Sequence, residues 1–258
     1  MIIGVNPIAF SLGPIEVRWY GIFVALAIAV VILWTVREVR KGANLSYDTV
    51  FNAALVGIPS GVIFSRALHV IDNWGYYSQN PGEIIGGGGL TAYGAVLGAA
   101  LGIWVYSRLS KFRFGYFADV VAPGIILAQA VGRVGCTLNG CCYGVETSLP
   151  WGIVYTHPES LCQLGVTVHP TTIYEIIWNL AVFGVLLKLR GRFKPDGSLF
   201  LIYLSLYSLW RLGGDFLRAG TPFLFGLHQA QVIAILVLVI AIPLLALRTR
   251  WVVREKSV

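Results

Sequence analysis

The sequence predicts an all-α integral membrane fold of seven transmembrane helices, N-terminus outside and C-terminus cytoplasmic, with a small extracytoplasmic cap. Three observations carry that prediction. Of the 258 residues, 57% are apolar and only 12% charged, whereas soluble domains carry roughly 25% charged residues. Seven apolar stretches approach the ~20 residues that cross a hydrocarbon core of about 30 Å. The Lys and Arg residues gather in alternate loops, as the positive-inside rule requires of a polytopic protein.

Taken in order, the first stretch (19–36) is followed by Arg37, Arg40 and Lys41. The second (49–71) opens a loop, 72–88, with no basic residue and with Asp72 and Glu83. The third (89–107) precedes Arg108, Lys111 and Arg113. The fourth (116–135) leads into the long segment 136–170, again without Lys or Arg but with Glu146 and Glu159. The fifth (171–187) is followed by Lys188, Arg190, Arg192 and Lys194. The sixth (198–217) contains charge, and the seventh (228–247) precedes Arg248, Arg250, Arg254 and Lys256. Fourteen of the nineteen basic residues therefore fall on one side. The net charge of +7 is a topology signal, not the footprint of a nucleic-acid-binding face. The first 17 residues lack the positive n-region of a signal peptide, so the first span is expected to remain as a helix. The whole chain, 1–258, reads as one polytopic membrane domain whose cap occupies about 136–170.

The remaining basic residues are Arg18, Arg66, Arg133, Arg211 and Arg218, all within spans or at their outer ends. An intramembrane charge costs at least about 2.5 kcal/mol on insertion scales, so it persists where it pairs, lines a cavity or does chemistry. Asp119, Glu175 and Asp215 also lie in predicted spans. Arg211, Asp215 and Arg218 follow i, i+4, i+7 spacing, which sets them on one helix face; a self-neutralising ion pair is one reading of the last two. Arg133 has no acid within four residues and is flanked by Gly132 and Gly135. A fixed guanidinium at the outer end of a span suits a phosphate oxyanion, and the nearest phosphate in a membrane belongs to a phospholipid.

Five strings stand out: RWYG at 18–21, GGGLTAYGAVLGA at 87–99, GRVGCTLNGCCYG at 132–144, HPTTIYE at 169–175 and YSLWRLGGDFLR at 207–218. Glycine at the spacing of the second ordinarily means close helix packing. Taken together and in order, the strings resemble the signature of the bacterial prolipoprotein diacylglyceryl transferases over about residues 10–235. The resemblance implies a seven-helix enzyme of the bacterial cytoplasmic (inner) membrane, its active site toward the extracytoplasmic side. Members transfer the diacylglyceryl group of phosphatidylglycerol to the lipobox cysteine of a preprolipoprotein signal peptide, forming a thioether and releasing glycerol phosphate.

Carried over by position, Arg133 and Arg211 match the family's two essential arginines. Tyr20, Asn139, Gly144, Tyr207 and Asp215 match positions that bind substrate or support the site, glutamate being usual where Asp215 stands. Arg66 and Glu175, as intramembrane charges, join the candidate substrate-binding set. Cys136 and Cys141 stand where the signature commonly has Asn and Glu, and Tyr93 stands where some members have a histidine suggested as a base. Phenol, with a reference pKa near 10, is a poor base at neutral pH. His169 is therefore the preferred base for the acceptor thiol, the alternative being a helix-entry residue positioned by Pro170. The scheme requires no metal and no cofactor.

Cys136, Cys141, Cys142 and Cys162 all lie between the fourth and fifth spans, where an oxidising compartment permits disulfides. At least one bridge from the 136–142 cluster to Cys162 is expected; zinc is possible, although the spacing is not a strong metal motif. Three rival functions remain: a family paralogue with altered donor or acceptor, a lipid or anion transporter using the arginines as its site, and a membrane thiol oxidoreductase using the cysteines.

Overall fold

The structure, a computed structural model, describes residues 1–13, 15–86, 89 and 91–252. Gly87, Gly88 and Leu90 of the glycine string, and the basic residues Arg254 and Lys256, lie outside the described residues. The fold is mostly helical. In chain order the helices are α1 (Trp19–Arg40), α2 (Tyr47–Asp72), the short α3 (Trp74–Tyr77) and α4 (Glu83–Gly86), α5 (Ala92–Leu109), α6 (Phe114–Asn139), α7 (Thr171–Leu189), α8 (Ser198–Gly214) and α9 (Gln229–Arg248). Five of them, α1, α2, α6, α7 and α9, are long and apolar enough to cross a membrane. Among the described residues, the helices at the third and sixth predicted spans, α5 and α8, fall outside that set, α8 being only 17 residues long.

The short strands escape any period-2 reading because most have only two or three residues. They are β1 (Ile2–Ile3), β2 (Ile8–Leu12), β3 (Ile15–Arg18), β4 (Ile153–Tyr155), β5 (Thr167–Val168), β6 (Phe193–Lys194) and β7 (Arg250–Trp251). β1 pairs parallel with β4, and β4 antiparallel with β5. Ile3, Ile153, Tyr155, Cys162 and Val168 form a buried apolar cluster on this small sheet. The segment 136–170 is thus ordered and is stitched to the N-terminus, whose ammonium donates to Gly152 O at 2.8 Å. Arg18 belongs to β3, not to a span, and pairs with Glu159 at 3.3 Å.

The chain forms two compact units, Met1–Thr35 with Ala118–Val258, and Val36–Phe117. In the second unit α2 packs on α5 through small residues. A Cβ at Gly61 would sit 3.0 Å from Ala95 O, and one at Gly102 would sit 2.5 Å from Ser60 Oγ. The glycines of the 87–99 string that are described in α5, Gly94 and Gly98, likewise face Phe64 and its neighbours, the close packing that small residues permit in membrane helices. Arg66 is occupied in this unit: its guanidinium donates to Ile84 O at 2.8 Å, Gly89 O at 3.0 Å and Glu83 O, and lies over the Tyr77 ring. These contacts tie α2 to α4 and to Gly89.

In the first unit, Ala122 and Ile126 of α6, Val182 and Leu186 of α7, and Leu199 and Tyr203 of α8 form the buried apolar core. Asp119 explains its own presence in a span: its carboxylate accepts from Gly197 N at 2.7 Å and Phe200 N at 2.8 Å. It satisfies amides at the start of α8 that have no intrahelical partner. α6 meets α1 where Gly135 leaves no room for a side chain beside Phe23 and the Tyr20 backbone.

Candidate active site

The C-terminal ends of α6 and α8 and the N-terminal end of α7 bring together the charges that the sequence left unexplained. Arg133 Nε of α6 lies 2.9 Å from Glu175 Oε2 of α7. The same oxygen is 3.9 Å from Arg211 Nη1 of α8. Arg211 Nη1 in turn contacts Asp215 Oδ1 at 3.0 Å, and Arg218 Nη1 stands 3.9 Å from that oxygen. Three guanidinium groups and two carboxylates thus form one chain of net charge +1. All five side chains are buried or largely so. Buried ions hold such positions only when paired, and the surplus positive charge is what an anionic substrate group would neutralise.

α8 ends at Gly214, earlier than the predicted boundary of 217, and Asp215–Leu217 form a 3₁₀ turn. Asp215 keeps its contact with Arg211, while Arg218 lies beyond the helix in extended backbone. The turn is fixed from two sides. Gln231 of α9, 1% exposed, donates to Leu212 O at 3.1 Å. Val145 N donates to Leu217 O at 2.9 Å, and Ala219 N to Tyr143 O at 3.1 Å.

The signature on α6 is held just as tightly. Thr137 Oγ1 lies 2.8 Å from Thr172 Oγ1, linking α6 to the first turn of α7, and Tyr155 Oη donates to Thr137 O at 3.0 Å. Burial pushes the Tyr155 hydroxyl above its usual range, so it stays a neutral donor. After Asn139 the chain turns back through Gly140 at φ +68°. Gly140 N approaches Thr137 O at 3.4 Å and Cys141 N donates to Cys136 O at 3.1 Å, the paired bonds of a Schellman C-cap. A side chain at Gly140 would strike Ser160 Oγ.

That turn sets Cys141 and Cys142 over Cys136. The three sulfur atoms all lie within 4.8 Å of one another, and Arg133 Nη1 is 3.6 Å from Cys136 Sγ. Cys142 adopts φ +62°, an uncommon conformation for a residue with a Cβ, and Thr171 Oγ1 donates to its carbonyl at 2.8 Å. All four cysteines are free. The expected bridge to Cys162 is not formed: Cys162 is packed into the sheet cluster, where burial pushes its thiol up to about 11.

Signature strings and paired arginines point to one family, and the sequence profile described as prolipoprotein diacylglyceryl transferase matches residues 7–247. The chain belongs to the prolipoprotein diacylglyceryl transferase family. It is similar to proteins named phosphatidylglycerol–prolipoprotein diacylglyceryl transferase in several bacteria. One from Dehalococcoides mccartyi is 49% identical over 96% of this chain and 95% of its own length. Another from Clostridioides difficile is 38% identical over 89% and 90%, and one from Symbiobacterium thermophilum 36% over 98% and 95%.

Within this prolipoprotein diacylglyceryl transferase fold, the expected site residues take up different places. Arg133, Arg211, Glu175 and Asp215 are brought into direct contact. Tyr207, one turn before Arg211 on α8, stacks on Tyr203, and Tyr20 stands exposed beside Gly135. Asn139 is buried with no partner for its Oδ1 among the described residues. Gly144 and His169 lie in the cap, where Gly144 N donates to His169 O at 3.0 Å and a Cβ on Gly144 would strike His169 and Leu217. The His169 ring faces Tyr174 edge-on, and its buried Nδ1 has no hydrogen-bond partner among the described residues. Tyr93 and Arg66 belong to the Val36–Phe117 unit. Unmarked by the sequence were Thr137, Thr172, Gln231 and Asn179. The last lies one turn deeper than Glu175, fully buried, with neither amide atom hydrogen-bonded among the described residues. A separate groove of about 340 Å³, lined by Tyr174, Trp178, Trp210, Gly213 and Leu217 among others, carries none of these charges.

Proposed function

We propose that this chain transfers the diacylglyceryl group of phosphatidylglycerol to the lipobox cysteine of preprolipoproteins, at the extracytoplasmic face of the bacterial inner membrane. The observation that carries this reading is the buried, net-positive chain joining Arg133 and Arg211 through Glu175. In the same reading α5 and α8 complete seven spans, N-terminus outside, in one polytopic domain with segment 136–170 as its cap; the alternation of basic loops supports it.

The reaction is an attack on carbon. The acceptor thiol has a reference pKa near 8.5 and reacts as thiolate. Its sulfur bonds to the glyceryl CH₂ carbon while the carbon–oxygen bond to phosphate breaks, the electron pair leaving on glycerol phosphate. Two guanidinium groups prearranged where that charge grows stabilise the leaving group without reorganisation. Glu175 and Asp215 hold the arginines in place, Asn139 and Tyr20 contact the headgroup from α6 and α1, and Tyr207 supports Arg211 from the preceding turn. His169 receives the acceptor's proton.

Purified protein in nanodiscs with phosphatidylglycerol and a lipobox peptide is expected to yield peptide carrying a diacylglyceryl thioether, read by mass. Folded protein that gives no such product, with either that lipid or other phospholipids, removes this reading.

A further inference from the structure

The triad of Cys136, Cys141 and Cys142 has no part in the transfer chemistry proposed above. Two of its members replace polar residues of the signature, and the Schellman turn at the end of α6 gathers all three. Cys136 is buried, while Cys141 and Cys142 are half-buried, so the cluster is not sealed from its surroundings. Among the described residues no His, Asp or Glu joins the group. Three thiolates around a tetrahedral zinc ion stand about 3.8 Å apart, given zinc–sulfur bonds of about 2.3 Å. The observed separations, all within 4.8 Å, exceed that value by about 1 Å at most. A divalent cation with three thiolates carries net charge −1, and Arg133, 3.6 Å from Cys136 Sγ, is positioned to offset it.

We infer that Cys136, Cys141 and Cys142 bind a thiophilic divalent cation of zinc type, whose open fourth position takes the thiol of the acceptor cysteine. This rests on the transferase reading and departs from the metal-free scheme expected from the sequence. A thiol bound to such a cation is deprotonated outright, which supplies the thiolate at neutral pH. The acceptor's S–H bond breaks, its proton passes to water or to His169, and a metal–sulfur bond forms. The sulfur then bonds to the glyceryl carbon as the carbon–oxygen bond breaks and glycerol phosphate leaves with the electron pair. The thioether product is neutral and a weaker ligand than the thiolate, so it departs. An open position beside three protein ligands is the arrangement of catalytic zinc sites in general.

The test uses the full-length reduced protein in detergent, stripped of metal and titrated with Co²⁺ and then Zn²⁺. One Co²⁺ per chain with thiolate-to-cobalt absorption is expected, displaced by Zn²⁺. Cys136→Ser, Cys141→Ser and Cys142→Ser should each weaken binding at least tenfold, whereas Cys162→Ser binds as the unmodified protein does; matched thermal melts show that the variants fold. A lipobox peptide should raise the thiolate-to-cobalt absorption by about a third, as three thiolates become four, and the same peptide with serine for cysteine should leave it unchanged. No stoichiometric Co²⁺ binding, or a spectrum indifferent to the peptide thiol, overturns the inference. With phosphatidylglycerol present, the metal-free enzyme should be at least tenfold slower at pH 7 and lose about tenfold per pH unit below the thiol pKa near 8.5, while the Zn²⁺ form stays flat. Full activity without metal overturns the role in catalysis and leaves the transferase reading standing. Product absent under every metal condition strikes the transferase reading, and the cobalt spectra still decide the metal site.

Discussion

Glu175 Oε2 lies 2.9 Å from Arg133 Nε and 3.9 Å from Arg211 Nη1, so a single carboxylate on α7 sets the spacing of two guanidinium groups on α6 and α8. Glu175→Ala leaves both arginines buried without that counter-charge. Removing one partner of a buried ion pair costs about 3–5 kcal/mol, and a loss of that size is expected in denaturant unfolding of the detergent-solubilised protein. Glu175→Gln keeps the shape and should recover part of the stability but little of the transfer rate.

Gly144 has no room for a side chain, because His169 and Leu217 close around it. Gly144→Ala is expected to part the cap segment from the turn after α8, weakening the Val145–Leu217 and Ala219–Tyr143 hydrogen bonds. Faster amide hydrogen exchange at 143–146 and 217–219, with the α2–α5 unit unaffected, is the expected signature.

Asp119 accepts two amide hydrogens at the start of α8. Asp119→Ala should lower stability by about 1–2 kcal/mol, the usual worth of such a cap. Asp119→Asn should lose less, since its one carbonyl oxygen still accepts. Unfolding midpoints of the two variants check the ordering.

Burial pushes the Cys162 thiol up to about 11, whereas an unfolded thiol ionises near 8.5. The stabilisation from keeping this thiol neutral is therefore complete below about pH 8.5 and is lost as pH rises through about 11. With the other three cysteines replaced by serine, alkylation of Cys162 should be slow at pH 8 and accelerate about tenfold per pH unit toward 11. Mass spectrometry of the modified peptide reads the rate.

Five of the seven expected spans coincide with helices long and apolar enough to cross a membrane, because hydropathy is a property of whole segments. The sequence also singled out Arg133 and Arg211, since an arginine in an apolar span has few uses. Residues whose roles come from distant chain were harder to read. Arg66 donates to the carbonyls of Glu83, Ile84 and Gly89, contacts that no local spacing reveals. The role of Asp119 comes from α8, which begins beside it although the amides it meets lie 78 and 81 residues away in the chain. The cysteines were visible, but which of them gather depended on a turn: Gly140 folds Cys141 back over Cys136, while Cys162 is drawn into the β-sheet cluster instead. Strands of two or three residues leave no alternation to detect.

The central claim is that Arg133 and Arg211 together stabilise the departing phosphate of phosphatidylglycerol. It is tested most directly by the rate of thioether formation in matched nanodiscs for the unmodified protein, Arg133→Ala, Arg211→Ala and the two lysine variants, each with its unfolding midpoint. Each alanine variant should lose at least about 10²-fold in rate, the usual cost of one prearranged charge-stabilising group. Lysine, unable to offer a bidentate fork, should restore only part of it. An alanine variant at either position that folds and transfers at the unmodified rate would contradict the account.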